Sequence, residues 1–75
     1  MKKTRLYDLN PGESAIIAGL DNCDGMRRRL IDLGFAPQSK VSCVLKAPLG
    51  DPKAFMIKNT IIALREEDSK NIYLE

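Results

Sequence analysis

Only one stretch of this chain repeats its apolar residues with a helical period, and that stretch is short. Along Met26-Arg27-Arg28-Arg29-Leu30-Ile31-Asp32-Leu33-Gly34-Phe35, the side chains of Met26, Leu30 and Leu33 fall within about 60° of one another, while Arg28 and Asp32 point the other way. Gly34 follows the last apolar position, where a residue free to take positive φ ends a helix, and Phe35 then folds back onto the apolar face. A helix of roughly two to three turns cannot stand alone and must lean on other structure. Three consecutive arginines sit in its first half, where unpaired amides already carry partial positive charge, so helix propensity does not explain them.

Everything else reads as short strands between closely spaced turns. Asn10-Pro11-Gly12 is a turn, because Pro presets φ at its second position and Gly supplies the positive φ of its third. Glu13 to Leu20, rich in Ile and Ala, reads as a first strand buried on much of both faces. Asp21 to Gly25 break it, and Asp21 or Asp24 is positioned to cap the helix. After the turn Ala36-Pro37-Gln38-Ser39, Val41, Cys43 and Leu45 form the inward side of a half-buried strand, Lys40 to Lys46. Ala47-Pro48-Leu49-Gly50-Asp51-Pro52 cannot continue a ladder and is a hairpin tip or wider loop. Strands at Ala54 to Ile57 and Thr60 to Leu64 flank Lys58-Asn59, a tight hairpin in which Asn tolerates the left-handed conformation. Arg65 to Ser69 allows a single helical turn before a last strand at Asn71 to Leu74. The reading is a mainly β domain: a small, partly open barrel of about five short antiparallel strands with one inserted α-helix.

At 75 residues the chain holds one domain, with residues 1–5 a flexible basic tail and residues 6–75 the folded part. Twelve Lys and Arg against ten Asp and Glu give a net charge of +2 with the signs interspersed, which is not the basic footprint of a nucleic-acid binder. The exposed aromatic platform on which single strands stack is also missing, since Tyr7, Phe35, Phe55 and Tyr73 are the only aromatic residues. The longest apolar run, Ala15 to Leu20, is far shorter than the roughly 18 to 20 residues of a membrane-spanning helix. Lys2, Lys3 and Arg5 imitate the start of a signal peptide, but Tyr7-Asp8-Leu9-Asn10-Pro11-Gly12 stands where its apolar run belongs. Cys23 and Cys43 are 20 positions apart without a Cys-x-x-Cys pattern, so free thiols in a cytoplasmic protein are expected.

The absences narrow the chemistry. Without histidine the commonest general base and metal ligand are both gone, and neither glycine-rich phosphate motif is present, so a non-enzymatic role is expected. The best local donors for a metal are Asp21, Cys23 and Asp24, beside the amide of Asn22. They lack calcium-loop spacing, and two cysteines fall short of a structural zinc site, so the segment reads as a polar loop capping the helix. Arg28 is placed to pair with Asp32 one turn on, whereas Arg27 and Arg29 border the apolar stripe. Arg29 has two readings: pairing with an internal carboxylate among Glu66, Glu67 and Asp68, or contact with an acidic partner. For Pro48-Leu49-Gly50 the alternatives are a plain turn and a contact loop tipped by an apolar residue.

Five motifs in one register carry a resemblance. Leu9-Asn10-Pro11-Gly12-Glu13, Arg28-Arg29-Leu30, Leu33-Gly34-Phe35, Ala47-Pro48-Leu49-Gly50-Asp51-Pro52 and Ile62-Ala63-Leu64-Arg65 resemble, in order and spacing, the ferrous iron transport protein A (FeoA) family, from about Leu6 to Leu74. The resemblance implies an SH3-like barrel, a cytoplasmic location and a place beside the membrane ferrous iron permease that carries a GTP-binding domain. It implies association with transition metals as well, and related domains end the iron- and manganese-dependent repressors. The first expectation is therefore an accessory module docking on the cytosolic part of that permease through Arg28, Arg29 and the loop Pro48, Leu49, Gly50 and Asp51. The alternative is a metal-responsive regulator of Fe2+, Mn2+ or Zn2+, with Asp21, Cys23 and Asp24 as its donors and no resident cofactor otherwise. Self-association is left open. Three residues depart from the family pattern: Gln38 and Asn59 stand where Gly is usual, and Ser69, in place of a small apolar residue, is expected to loosen the last helical turn.

Overall fold

The computed structural model describes residues 4–75. Its five strands are β1 (Ser14–Leu20), β2 (Lys40–Lys46), β3 (Lys53–Ile57), β4 (Thr60–Leu64) and β5 (Ile72–Leu74), all antiparallel in the order β4-β3-β2-β1-β5. The sheet stays open between β4 and β5, and one ten-residue helix, α1 (Asp24–Leu33), is inserted between β1 and β2. A single turn, α2 (Glu66–Ser69), joins β4 to β5. No helix is long and apolar enough to cross a membrane among the described residues.

Every strand contributes to one core, formed by Leu6, Leu9, Ile17, Leu30, Phe35, Val41, Cys43, Phe55, Ile57, Leu64, Ile72 and Leu74. Alternation along β3 shows how it is filled: Lys53, Phe55 and Ile57 point inward and are buried, while Ala54 and Met56 are half-buried on the outer side. β1 departs from expectation, because only Ile17 is fully buried and the strand is not covered on both faces. An antiparallel sheet packs one face on the core and leaves the other toward solvent. In β2 the expected inward position of Leu45 is also overturned. The pairing slips between Cys43 and Leu45, and one extra residue turns Leu45 outward to 64% exposure.

The end of α1 follows its sequence closely. Gly34 has φ 116°, its N–H donates to Ile31 O at 3.0 Å, and the Phe35 N–H donates to Leu30 O at 2.9 Å. This is the paired bonding of a helix closed by a left-handed glycine, and it carries Phe35 into the core beside Leu30. Leu33, expected on the buried stripe, is left 42% exposed, whereas Phe35, just past the glycine stop, is fully buried. At the other end neither Asp21 nor Asp24 is the cap. Cys23 holds that position without a side-chain hydrogen bond, and its carbonyl accepts from Arg27 N at 2.7 Å. Asp24 is already helical, so its carboxylate acts through proximity to the first-turn amides.

Residues 1–3 of the expected basic tail lie outside the described residues. Thr4 and Arg5, read as the rest of it, instead run along β5: Leu74 N donates to Thr4 O at 2.9 Å, and Arg5 bridges antiparallel to Tyr73. Ser69 does not loosen α2. It is fully buried, and its hydroxyl donates back to Arg65 O at 3.1 Å, which closes the turn.

Candidate partner-binding surface

The loop between β2 and β3 is a tight, supported tip. Gly50 N donates to Ala47 O at 2.8 Å, Ala47 N donates to Pro52 O at 3.2 Å, and Gly50 adopts φ 85°, which only glycine takes without strain. Gly50 itself is buried, with Lys46 and the Tyr7 hydroxyl close to where a Cβ would stand. Leu49 projects from this tip with 95% of its surface exposed, more than any other large apolar residue described. Asp51 is engaged internally: its Oδ1 accepts the Glu66 N–H at 2.7 Å and so caps α2 from a distant part of the chain.

Beneath the loop, Lys53 begins β3 on the inward face and is only 5% exposed. Its Nζ donates to the carbonyls of Tyr7 and of Leu9, the latter at 2.9 Å, and lies 4.6 Å from the centre of the Tyr7 ring. A buried ammonium needs such acceptors to offset its desolvation, and these two carbonyls tie the N-terminal segment to the sheet. Sequence reading starts this strand at Ala54 and misses Lys53, although extending the Phe55 and Ile57 alternation by one step places it inward. Burial, then the nearby Glu66 charge, raises the Tyr7 pKa, whereas the hydrogen bond and charge of Lys70, 2.9 Å from Glu66, lower that of Glu66.

On α1 the three arginines, Arg27, Arg28 and Arg29, are all exposed. Among the described residues the ion pair formed is that of Lys70 with Glu66, so Arg28 is not bridged to Asp32 and Arg29 does not reach Glu66, Glu67 or Asp68. The internal reading of Arg29 therefore lacks a contact. The arginines sit on α1, whose closing Gly34 packs against Ile57 and Lys58 at one end of β3, whereas the loop enters β3 at Lys53, its other end.

The loop before α1 is tied down by Asp21 N donating to Asn71 O at 2.7 Å and Asn22 Nδ2 donating to Asp68 O at 3.0 Å. Among the described residues no group of three or more His, Cys, Asp or Glu side chains is gathered closely enough to hold a metal ion, so Asp21, Cys23 and Asp24 do not converge. One buried oxygen there, Asn22 Oδ1, has no hydrogen-bond partner, but a lone amide oxygen is not a cation site. Among the described residues, Asp21, Cys23 and Asp24 do not make up a ligand set for a transition metal. Both cysteines are free; Cys23 is exposed and Cys43 is buried, where desolvation raises its thiol pKa.

Comparison with known proteins adds four relationships. Residues 4–75 match the FeoA domain. A Porphyromonas gingivalis protein described as an Fe(2+) transport protein A/Fe(2+) transporter FeoB fusion is 32% identical over 71 residues, and that match takes in 95% of this chain but 8% of the relative. The solution structure of iron(II) transport protein A from Clostridium thermocellum superposes with a TM-score of 0.89 at 35% identity, over 95% of this chain and 44% of that one. FeoA of Stenotrophomonas maltophilia, crystallised with zinc and described as a procaryotic SH3 domain protein, superposes at 0.84 and 29% identity over 99% and 91% of the two chains.

Proposed function

This chain belongs to the FeoA domain family, and from that premise we propose that it is a non-enzymatic, cytoplasmic accessory module that docks on the cytosolic part of a membrane ferrous iron permease and modulates uptake. The family is associated with ferrous iron transport, and its Stenotrophomonas maltophilia member is described as a candidate transport-activating factor. The observation that carries the reading is the fusion in Porphyromonas gingivalis, where a similar domain shares one polypeptide with an Fe(2+) transporter. Covalent linkage holds two modules at high effective concentration, and a separate chain must replace it with a binding surface.

Two features support a place for that surface. Leu49, presented with Pro48 on a tip braced by Lys53 and Asp51, is an apolar anchor whose loop has little entropy left to lose on binding. The exposed face of Arg27, Arg28 and Arg29 is a second, electrostatic contact that steers approach to an acidic partner.

Binding of the permease's isolated cytosolic GTP-binding domain to this protein tests the reading. Leu49→Asp weakens binding by about tenfold or more, and Arg29→Glu lowers the association rate and its salt dependence. Absence of binding by the wild type sinks the docking role, and equal binding by both variants sinks the surface.

A further inference from the structure

The outward side of the sheet carries an uncovered aliphatic patch. Helix α1 and the N-terminal segment pack on the inward side, where Leu30, Leu6 and Leu9 join the core. On the other side Ala54 pairs with Leu45 and with Ala63, and Met56 pairs with Ile61, so the patch runs across β2, β3 and β4. Leu45 is 64% exposed and Ile61 61%, and Val44, at the slip that turns Leu45 outward, is exposed beside them. Among the described residues these are three of the five large apolar side chains left exposed, so the exposed apolar surface is concentrated here rather than scattered. The charge around the patch has one sign. Alternation carries Lys40, two residues before Ser42, and Arg65, two residues after Ala63, to the outward side. Both are exposed, and among the described residues neither forms an ion pair. Carboxylates at the strand ends are engaged elsewhere: Glu13 accepts the Asn10 N–H at 2.7 Å, Asp51 accepts the Glu66 N–H at 2.7 Å, and Glu66 holds Lys70 at 2.9 Å. The hydroxyls of Ser14 and Ser42, bordering the patch, bond each other at 2.8 Å.

We propose that this face lies on an anionic lipid surface, with Leu45 and Ile61 at the headgroup boundary and Lys40 and Arg65 reaching lipid phosphates on either side. The face offers aliphatic area and cations, with its directional polar groups already used. A protein partner reads a surface through hydrogen bonds and shaped pockets as well as area, whereas a lipid boundary requires only apolar side chains and positive charge. The strand at the centre of the patch suits such contact. β3 is bonded to β2 on one side and to β4 on the other, and a chain so paired approaches lipid without the cost of bare peptide groups. Two apolar anchors and two cations make a reversible contact rather than a fixed anchor. The face is distinct from the Leu49 tip, and the proposal does not depend on the docking role.

Co-sedimentation of the full chain with vesicles, in reducing buffer and at millimolar lipid, tests it. The wild type sediments with vesicles of phosphatidylglycerol and phosphatidylcholine in equal parts and stays in solution with phosphatidylcholine alone. Raising salt from about 0.05 to 0.5 M releases it. Leu45→Asp and Ile61→Asp each weaken partition about tenfold, because an apolar anchor gives way to a charge of the surface's own sign. Lys40→Glu and Arg65→Glu each weaken it about fivefold or more. Asp32→Lys makes a charge change of the same size and opposite sign on exposed α1, across the sheet from the patch, and leaves partition unchanged. Circular dichroism establishes that each variant is folded. Absence of partition by the wild type at millimolar lipid leaves the face to an acidic protein partner and overturns the proposal. So do Leu45→Asp and Ile61→Asp variants that bind like the wild type, or an Asp32→Lys variant that binds as much more tightly as Arg65→Glu binds more weakly, since net charge alone would then be read.

Discussion

At the scale of single residues, the local conformations that matter are those the side chains resist. Gln38 adopts φ 74°, a region in which Cβ crowds the following carbonyl at a cost of roughly 1 to 2 kcal/mol. Its exposed hydrogen bond to Glu75 recovers little of this. Gln38→Gly is therefore expected to stabilise the fold by about 1 kcal/mol, raising Tm by about 4–8 °C in a domain of this size, as thermal denaturation would show. Gly34 is the opposite case. Its φ of 116° strains any other side chain, and Ile57 Cγ1, 3.2 Å from the position of a Cβ, must give by a few tenths of an ångström to admit alanine. The cysteines separate by burial. Cys43 is 1% exposed with its thiol pKa raised, chiefly by desolvation, and Cys23 is exposed at the helix start. Alkylation of the native protein at neutral pH followed by mass spectrometry should give one adduct per chain, on Cys23, and a second only after unfolding.

At the scale of elements, α2 is the one held least by its own residues. Four residues form too short a helix to be stable alone, and its first amide is satisfied by Asp51 from the loop between β2 and β3. Asp51→Ala should cost about 1 kcal/mol, and hydrogen exchange should show the loss concentrated at Glu66 to Ser69; unchanged protection there would refute the capping role. The contrast with α1 explains what could be read in advance. Period, glycine stop and Phe35 return are all local, so the main helix and the turns between strands were legible in the sequence. Contacts across the chain were not: Asp51 reaching Glu66, Lys53 reaching the carbonyls of Tyr7 and Leu9, and the slip after Cys43 that turns Leu45 outward leave no mark in residue order. The predicted helix cap failed for a related reason: Asp21 and Asp24 are both good capping residues, but the helix begins after Cys23, between them.

For the whole molecule, the question is whether the loop tip and its support are separable. Sequence reading assigns Arg28, Arg29 and residues 48 to 51 to one contact surface drawn from two separate elements, α1 and the loop between β2 and β3. The structure instead gives the tip its own foundation, in which Lys53 joins the N-terminal segment to the sheet below the loop. Lys53→Met leaves the carbonyls of Tyr7 and Leu9 without a donor, and among the described residues neither has another backbone partner. Replacing a buried charge by an apolar residue is often harmless, but here no buried carboxylate needs the ammonium. The orphaned carbonyls therefore decide the sign, with a cost of about 1–3 kcal/mol. Leu49→Asp, at a position 95% exposed, removes no buried contact and should leave stability within about 0.5 kcal/mol. Thermal melts on the two variants, set beside binding to the permease domain, should thus dissociate. Leu49→Asp loses binding with Tm unchanged, and Lys53→Met loses Tm, with binding falling only as far as the tip loses its support. If Leu49→Asp lowered Tm as much as Lys53→Met, the tip would be part of the fold rather than a surface presented by it.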